Sequence, residues 1–398
     1  MTANLPLDGA RVLELGHIVA GPSAGLLLAD LGADVVKIER PGEGDQSRGM
    51  PEGTAAQFHF LNRNKRSIAI DLKGSSEGRA LFLRLVATAD VVIDNFAHGA
   101  VEALGLGYDV LARVNPRVIY LALKGFLPGP YEARPFLDEL AQMSGGLAFM
   151  TGPRGQPLRA GASVIDVGAA AYGVIAVLAA LHQRARTGSG QKITAGLFET
   201  TVFLVGQWLA SYAATGEPSV PMPEIQQGTR MGWGVYQLFD AADGERIFIG
   251  ITSNGHWERF CNEFGLDDLL ADERLADNGK RVAARSWLPP RIAEEMRRYT
   301  STEISERLER ARVPWAPLRR PDQLVDDPHL NAAGQFVDTP LPGRGAGKLP
   351  KLPLRSTAFE MGLRRPAPGL GEHTREILEE IGLEADAIDA LAARKVIS

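Results

Sequence analysis

The sequence predicts an α/β protein with a parallel, Rossmann-like sheet in its first third and a second, smaller α/β domain after it. Short β-rich runs alternate with helical patterns up to about residue 125, which is typical of a parallel sheet with crossover helices. The chain has 398 residues, too many for one small core, so two domains are expected. A segment rich in Pro and Gly after Gly216 marks the point where the pattern changes.

Five strands are predicted in the first third of the chain. They run from Arg11 to Leu15, Asp34 to Glu39, Ser67 to Leu72, Asp90 to Asp94 and Arg117 to Leu123, with helices over 21–31 and 76–87 between them. Ligands of parallel sheets bind beyond the carboxyl ends of the strands. His17, Arg40, Asn95 and Lys124 fall at or just after such ends, so a binding site is expected there.

The rest of the chain is predicted to be mostly helical, with one hairpin. Helices are expected over 167–184 and from Leu197, the hairpin turns at Asp243-Gly244, and further helices follow over 254–264, 278–299 and 302–312. Residues 339–354 are rich in Pro and Gly and are predicted to be extended, before two amphipathic C-terminal helices. The predicted domain parts are therefore 1–220, 225–330 for the small domain, and 331–398.

One acid stands alone in a long apolar run. Asp166 is the only charged residue between Ala160 and Leu181, and glycines lie on both sides of it. Burial disfavours the charged form of a carboxylate, so a lone acid in such surroundings is a candidate nucleophile or base. The alternative interpretation is that Asp166 is the N-cap of a helix beginning at Val167, a very common role for Asp.

Composition and motifs argue against several classes of protein. The net charge of −5 and the pI near 5.9 give no general attraction to nucleic acid. The single cysteine, Cys261, fits a cytosolic location and lies in a helical apolar pattern that predicts a packed core thiol. No signal peptide is recognised, and the apolar runs are judged too short and too rich in Gly and Ala to span a membrane. Gly16, Gly21 and Gly25 have neither dinucleotide-binding nor P-loop spacing.

An ordered set of motifs resembles the class III CoA-transferases, the family of formyl-CoA transferase and carnitine CoA-transferase. The motifs are LDGARVLELGHIVAGPSAGLLLADLGADVVKIERPGEGD, LNRNKRSIAIDL, DVVIDNF, LKGFLPGPY, LDELAQMSGGLAFMTG, RAGASVIDVGAAAYGVIAVLAAL, RTGSGQ, FDAADG and PGLGEHTREIL. They cover nearly the whole chain, and their order makes the set specific. GFLPGPYEARPFLDELAQ and RAGASVIDV look closest to members that use succinyl-CoA and small dicarboxylates.

The resemblance implies more about the fold than the residue patterns do. In this family the large domain combines the N-terminal sheet with the C-terminal part of the chain, and the smaller α/β domain is inserted between them. Two such chains interlock as a homodimer. Residues 331–398 would then return to complete the large domain, and the connections over 216–232 and 339–354 fit the crossings that this requires.

The resemblance also implies that Asp166 is a nucleophile. Its carboxylate would attack an acyl-CoA thioester to form a mixed anhydride, which CoA thiolate would convert into an aspartyl-CoA thioester. An acceptor acid would then collect the CoA by the same two steps in reverse. CoA thioesters are substrates in this scheme, and neither a permanent cofactor nor a metal is implied. N–H donors for the oxyanions are expected from Gly145 and Gly146 or from the GTRMGWG segment over 228–234.

Eight residues match positions that contact CoA in the family. They are His17, Ile18, Arg40, Leu72, Lys73, Asn95, Phe96 and Lys124. Arg40, Lys73 and Lys124 suit phosphates by charge, although each is equally explained as a solvated loop residue, and Asn95 as a turn residue. Where the family often has an arginine after the Asn-Phe pair, this chain has His98 and Ala103, so the resemblance does not extend to that phosphate contact.

Three polar residues match positions near the nucleophile. Asp138 and Gln142 are four residues apart and should share one helix face, and Glu139 lies beside them. The alternative interpretation is that all three are ordinary polar residues of a helix surface.

Several other functions compete with CoA transfer. The α-methylacyl-CoA racemases share the pattern and need a His directly before the position of Asp138, where this chain has Leu137. Intramolecular transfer within a dicarboxylyl-CoA is a second alternative. Neither a G-x-S-x-G nor an H-E-x-x-H motif supports a hydrolase, and a non-catalytic binding protein is the remaining rival. A second substrate carboxylate would need a cation, and the unranked candidates are Arg48, Arg134, Arg159 and Arg230.

Overall fold

The computed structural model describes residues 5–228, 232–343 and 345–398. The strands are β1 Arg11–Leu15, β2 Asp34–Glu39, β3 Lys65–Ala69, β4 Val91–Asp94, β5 Ile119–Lys124, β6 Gln191–Gly196, β7 Val235–Asp240, β8 Arg246–Ile251, β9 Trp315–Pro317, β10 Phe336–Leu341 and β11 Gly345–Pro350. The helices are α1 Ala20–Asp30, α2 Glu52–Leu61, α3 Ser76–Val86, α4 Ala100–Ala103, α5 Tyr108–Val114, α6 Asp138–Ser144, α7 Leu147–Thr151, α8 Val164–Thr187, α9 Leu197–Leu204, α10 Gly206–Thr215, α11 Met222–Gln227, α12 Asn254–Phe264, α13 Asp267–Leu270, α14 Asn278–Ala283, α15 Leu288–Met296, α16 Ser301–Ala311, α17 Pro328–Ala332, α18 Thr374–Glu380 and α19 Ala385–Ala393.

Six strands form one parallel sheet in the order β3-β2-β1-β4-β5-β6. This is the doubly wound order of Rossmann-like folds, so the predicted α/β class with a parallel sheet is confirmed. The ends of the five predicted strands lie within three residues of the ends of β1 to β5. The strand β6 is not predicted by the sequence pattern, because its segment QKITAG is short, partly polar and runs directly into α9.

Helices cover both faces of this sheet, which explains why its strands are almost continuously apolar. Leu13 and Ile68 belong to the core that also contains Phe82 of α3, whereas Val12 and its neighbours pack with α1 and α8 on the other face. The C-terminal helices α18 and α19 place apolar side chains, among them Ile377, in the first of these cores. The end of the chain therefore packs against the N-terminal sheet.

The chain forms two compact units. The first contains the chain up to Leu147 together with Ala160–Gln207 and Pro328–Ser398. The second contains Ala148–Arg159 and Trp208–Asp327. The domain boundaries inferred from the sequence, near 220–225 and 330, stay a prediction.

The second unit is built on the antiparallel sheet β7-β8-β9 and the helices that cover it. Cys261 is fully buried in its core, and burial raises the pKa of the thiol to about 12, so the predicted packed thiol is confirmed. The helix predicted over 278–299 is two helices, α14 and α15. Pro289 and Pro290 explain the break, because proline is accepted in the first turn of a helix but not in its interior.

Residues 339–354 are not simply extended, as was predicted. Strands β10 and β11 pair antiparallel from Phe336↔Pro350 to Leu341↔Gly345. Gly343, with a φ of 73°, adopts the left-handed conformation that glycine accepts without strain. The composition of this segment concealed a hairpin, because Gly and Pro are uncommon in strands.

The helix α8 is 24 residues long and carries Asp166 in its first turn. Its length and composition would suffice to cross a membrane, so the argument that the apolar runs are too short is wrong. One face of α8 instead packs on the sheet of the first unit. A Cβ added at Gly173 would lie 2.9 Å from Leu121 Cδ1, and Ala170 and Val177 belong to the same core as Ile119.

The side chain of Arg66 ties the end of the chain to the sheet. Its guanidinium binds Asp34 at 2.5 Å, Glu380 at 2.6 Å and Glu376 at 2.9 Å, and only 6% of the side chain is exposed. The three carboxylates come from β2 and α18. This network therefore joins two distant parts of the sequence.

Replacing Arg66 should destabilise the first unit. We expect Arg66→Ala to lower the free energy of unfolding by about 2 kcal/mol, because Asp34 and Glu380 then lose the more buried of their two cationic partners and keep only Arg11. Urea denaturation measures this change. Arg394→Ala is the matched control, since Arg394 pairs with Glu77 and both side chains are more than half exposed; its loss should be about 0–1 kcal/mol. Equal losses in the two variants would contradict the role of Arg66.

Candidate active site

Asp166 lies in the first turn of α8, near the end of the helix that is electrostatically positive. The helix begins at Val164 and is preceded by Ser163, whose side chain makes no capping hydrogen bond. The N-cap interpretation of Asp166 is therefore wrong, because the helix starts at Val164, three residues earlier than predicted. The side chain is partly buried. Among the residues that the structure describes, none donates a hydrogen bond to the Asp166 carboxylate, so it is available for chemistry.

A second acid, Asp138 of α6, caps the same helix. Its Oδ2 accepts hydrogen bonds from the backbone N–H groups of Ile165 at 2.8 Å and Asp166 at 3.0 Å. Gln142 holds Asp138 in place, since its Nε2 donates to Asp138 Oδ1 at 2.5 Å and its Oε1 accepts from the Ala160 N–H at 2.7 Å. Both side chains are buried, so Asp138 and Gln142 are not the surface residues of the alternative interpretation. Glu139 is exposed.

The environment of Asp166 favours its protonated form. Burial is the largest cause that raises the pKa of Asp166, from its ordinary value of 3.8 to about 7, and the charges of Asp138 and Glu139 add to it. The N-terminus of α8 would by itself favour the carboxylate, but Asp138 offsets that attraction with its own negative charge. Near neutral pH, Asp166 is thus divided between an acid and a carboxylate.

Glycines allow close packing around Asp166. A Cβ at Gly145 would lie 2.5 Å from Thr201 Cβ of α9, and one at Gly168 would lie 3.2 Å from Thr200 Cγ2. Gly146 has a φ of 88°, which glycine adopts without strain. The N–H of Gly145 donates to the Ala141 carbonyl at 2.8 Å. The Gly145 N–H, one of the two predicted oxyanion donors on this loop, is therefore already engaged in a hydrogen bond at the end of α6.

Five of the predicted CoA contacts lie together beyond the carboxyl ends of β1, β4 and β5. They are His17, Ile18, Asn95, Phe96 and Lys124. Asn95 Oδ1 accepts from the His17 N–H and Asn95 Nδ2 donates to the His17 carbonyl, both at 3.0 Å. The rings of His17 and Phe96 are 5.5 Å apart, and burial lowers the pKa of His17. The strand order thus brings together residues that are far apart in sequence.

Lys124 is engaged rather than solvated. Its Nζ donates to Asp94 Oδ2 at 2.5 Å and to the Phe96 carbonyl at 2.7 Å, and Tyr120 donates to the same carboxylate oxygen at 2.8 Å. Neither Asp94 nor Tyr120 was singled out from the sequence. The ion pair with Asp94 partly neutralises the charge of Lys124, so less of that charge is left to attract a phosphate.

Two of the three remaining predicted contacts, Arg40 and Lys73, line a cleft of about 820 Å³ at the edge of the same sheet. Its lining residues are Arg40, Pro41, Gly42, Asp71, Lys73, Gly74, Ala392, Lys395, Ile397 and Ser398. Arg40 pairs with Glu43 at 2.8 Å with both side chains largely exposed, whereas Leu72 is buried. Lys395 adds a third cation. Lys395 was not predicted as part of this group, because it lies more than 300 residues from Arg40 in the sequence.

The four arginines considered for a second substrate carboxylate differ in what they contact. Arg48 is committed to Glu39, with two hydrogen bonds of 2.8 Å, and to the Pro368 carbonyl. Arg134 is exposed and stacks on Tyr131, with its guanidinium carbon 3.8 Å from the ring centre. Arg159 is also exposed. Arg230 lies outside the described residues, as does much of the GTRMGWG segment.

Metal binding has no support in the described residues. No group of three or more His, Cys, Asp or Glu side chains in that part of the chain is arranged to hold a metal ion. In the parts of the chain that the structure describes, the site is thus a partly buried carboxylate near a capping acid, and a separate polar turn at the end of the sheet.

Comparisons with known proteins bear on this site. A model of CoA-transferase family III matches residues 7–374. Succinate–glutarate CoA-transferase of Agrobacterium fabrum is 35% identical over 94% of this chain and 96% of its own, and succinyl-CoA:mesaconate CoA-transferase of Haloarcula hispanica is 36% identical over 95% and 96%. A CaiB/BaiF family protein from Brucella suis has a similar solved structure, with a TM-score of 0.85, 35% identity, and coverage of 95% of this chain and 100% of the other.

Proposed function

The chain belongs to the class III CoA-transferase family, and we propose that it moves CoA from succinyl-CoA to a small dicarboxylic acid through intermediates on Asp166. The observation that carries the proposal is the carboxylate of Asp166. It is partly buried, its pKa is raised to about 7, and it accepts no hydrogen bond from the described residues. A carboxylate of raised pKa is a better nucleophile than an ordinary one, and it is ionised in useful amounts at neutral pH.

The proposed reaction needs four substitutions at acyl carbons. An Asp166 oxygen attacks the thioester carbon, the C–S bond breaks, and CoA leaves as the thiolate. The thiolate attacks the Asp166 carbonyl of the mixed anhydride, which releases the donor acid and leaves an aspartyl-CoA thioester. The acceptor carboxylate attacks that thioester and expels the thiolate, which then attacks the acceptor carbonyl and frees Asp166. No net proton is gained or lost.

CoA is proposed to bind along the carboxyl edge of the sheet. The turn of His17 and Ile18, with Asn95 and Phe96 beside it, would hold the nucleotide, and Lys124 would add positive charge. The cleft that contains Arg40 and Lys73 would hold a phosphate, and the buried Leu72 directly precedes Lys73 in the sequence. Clustering of Arg40, Lys73 and Lys395 supports this arrangement, because three cations together suit an anion better than a lone lysine.

A homodimer is part of the proposal. Large apolar side chains of the first unit are exposed on α6, α8, α9 and the residue before α6: Leu137, Leu140, Met143, Val167, Tyr172, Ile175, Phe203 and Leu204. An exposed apolar surface of this extent on a monomer would be unusual. Val167 directly follows the nucleophile, so a partner on this surface would further exclude water from Asp166. Sedimentation equilibrium of the purified protein tests the dimer.

A cytosolic location is also proposed, because the chain has a single cysteine, which fits a reducing compartment.

The experiment for this function is a panel of carboxylic acids with succinyl-CoA as donor. Mass spectrometry should detect new thioesters with small dicarboxylates, and release of free CoA alone would contradict a transferase. A mixture of a labelled dicarboxylyl-CoA with the unlabelled acid distinguishes intermolecular from intramolecular transfer. Exchange of the α-proton in deuterated water without acceptor acid would favour a racemase, although Leu137 cannot supply the second base.

Arg134 is the proposed partner of the second carboxylate of the acceptor. No carboxylate pairs with the guanidinium of Arg134 in the described part of the chain. The segment that carries Arg134 leads directly into α6, whose first residue is Asp138. Arg48, by contrast, is neutralised by Glu39. An uncommitted guanidinium binds a carboxylate with two parallel hydrogen bonds, which selects diacids over monoacids.

We expect Arg134→Leu to raise the KM for a dicarboxylic acceptor by about tenfold or more, because a charged hydrogen-bond partner is worth about 1.5–3 kcal/mol. The KM for a monocarboxylic acceptor of similar length should stay within about twofold of the wild-type value. Arg186→Leu, at the far end of α8, is the control and should change neither constant. Equal losses for both kinds of acid would assign Arg134 a different role.

A further inference from the structure

The turn after β1 contains a strained residue. Ile18 has a φ of 63°, in the left-handed region that β-branched side chains rarely adopt. Its N–H donates to Asp45 Oδ1 at 3.1 Å. Such a conformation persists only where the surroundings impose it, and it is concentrated at binding sites and active sites. The strain at Ile18 therefore calls for a group that holds it, and Asp45 is that group.

Asp45 is itself fixed by a buried cation. Its side chain is fully buried, and Oδ2 lies 2.8 Å from Lys37 Nζ, which also donates to the Gly16 carbonyl at 2.8 Å and to Glu14 at 2.8 Å. Oδ1 of Asp45 also accepts from both the N–H and the hydroxyl of Ser47. Lys37 and Asp45 thus fix the backbone on both sides of His17.

The backbone of His17 is fixed as well, by the two hydrogen bonds with Asn95 described above. Every backbone polar group from the Gly16 carbonyl to the Ile18 N–H is therefore bound by a side chain of another segment. A turn that only connects a strand to a helix does not need this many hydrogen bonds from the side chains of other segments. They set its conformation before any ligand arrives, which reduces the ordering that binding requires.

We propose that Asp45, held by Lys37, is a positioning residue that presets the His17–Ile18 turn for the nucleotide part of CoA. The proposal rests on the proposed function, because it takes CoA as the ligand of this turn. Asp45 acts through the turn and not on CoA itself, since it is buried and a free carboxylate would repel the phosphates. Lys37 removes that repulsion by pairing with the charge.

The test measures CoA binding by isothermal titration calorimetry, with CoA itself as the probe. Asp45→Ala should weaken binding by about tenfold, equivalent to about 1.4 kcal/mol. It should raise the KM for acyl-CoA while changing kcat at saturation by less than about twofold. Asp45→Asn should bind CoA within about threefold of wild type, because its amide oxygen still accepts from Ile18. In an Ile18→Gly background, Asp45→Ala should cost at most about threefold, since glycine adopts the left-handed conformation freely.

Asp30→Ala is the matched control. Asp30 is as buried as Asp45 and pairs with Arg63 at 2.6 Å in the same unit, away from the turn. It should lower the melting temperature as Asp45→Ala does and leave CoA affinity unchanged. If Asp45→Ala does not fold, Ile18→Pro is measured in its place, with Ile18→Ala as the reference. Proline excludes a positive φ and leaves the Asp45–Lys37 pair intact. Ile18→Pro should then bind CoA at least about tenfold more weakly.

The outcomes separate the two proposals. A wild-type protein that binds no CoA contradicts the proposed function and, with it, the role of this turn. A wild-type protein that binds CoA, with Asp45→Ala or Ile18→Pro binding as tightly as its reference, contradicts the positioning role alone. Equal loss of affinity in Asp45→Ala and Asp30→Ala would likewise reduce Asp45 to a stabilising residue.

Discussion

Asp166→Asn is expected to reduce CoA transfer by at least about a thousandfold, because an amide does not form the anhydride on which the proposed chemistry depends. Steady-state formation of the new thioester measures this loss. Glu139→Gln is the matched control, since Glu139 is an exposed acid near the site and should keep most of the activity. Treatment of the wild-type enzyme with hydroxylamine during turnover should modify Asp166. An active Asp166→Asn enzyme, or an unmodified Asp166, would contradict the proposal.

The same variant should be more stable than wild type at alkaline pH. Because the pKa of Asp166 is raised to about 7, the folded protein keeps a proton that the unfolded chain releases above about pH 4. Wild-type stability therefore falls as pH rises from about 4 to 7, and the loss is complete above pH 7. The rise from 3.8 corresponds to at most about 4 kcal/mol, and partial solvent screening reduces this to about 1–3 kcal/mol.

Thermal unfolding of both proteins at pH 4 and pH 8 measures this linkage. The two melting temperatures should nearly coincide at pH 4, and Asp166→Asn should melt higher at pH 8. Asp109→Asn, which neutralises an exposed acid in the first turn of α5, is the control and should show no gain at pH 8. A lower melting temperature of Asp166→Asn at pH 8 would mean that burial does not disfavour the Asp166 carboxylate.

Much of the parallel sheet was predictable from the sequence, because local patterns decide it. The strands β1 and β2 were predicted to the residue, since buried strands alternate with helices that have clear ends. The strand β6 and the β10–β11 hairpin were not predicted. The strand β6 is short and pairs with β5, which lies far away in the sequence, whereas the hairpin strands contain Gly and Pro, which are uncommon in strands.

The candidate site was predictable only in part. Asp166 stands out because a lone acid in an apolar run is visible in the sequence. The role of Asp138 as the cap of α8 was not, because it caps a helix 28 residues away through a tertiary contact. The pairs Lys124–Asp94 and Arg48–Glu39 decide which cations are free, and such pairs form only when the sheet assembles. Sequence patterns identify ionisable residues, whereas the fold decides which of them neutralise one another.

The capping acid gives the second large expected effect, on the pH dependence of transfer. In the proposed mechanism Asp166 attacks as the carboxylate, so kcat/KM should rise with pH and level off above about pH 7. At pH 6 only about one-tenth of the carboxyl groups would be ionised. Asp138→Asn removes a negative neighbour and should lower the pKa of Asp166, which moves the midpoint of the profile to lower pH. The midpoint should stay above 3.8, because burial is the larger cause.

Gln142→Ala separates charge from structure in this experiment. It removes the hydrogen bond that holds Asp138 but leaves every charge in place, so it should lower stability without moving the midpoint. Asp138→Asn should also cost stability, by about 1 kcal/mol, because its amide cannot satisfy both Gln142 and the N–H groups of α8 as well as a carboxylate does. The ratio of kcat/KM at pH 6 to that at pH 8 should therefore rise about threefold or more in Asp138→Asn only. If the ratio rises equally in Gln142→Ala, the pKa of Asp166 is governed by the position of the helix end, and the charge of Asp138 contributes little.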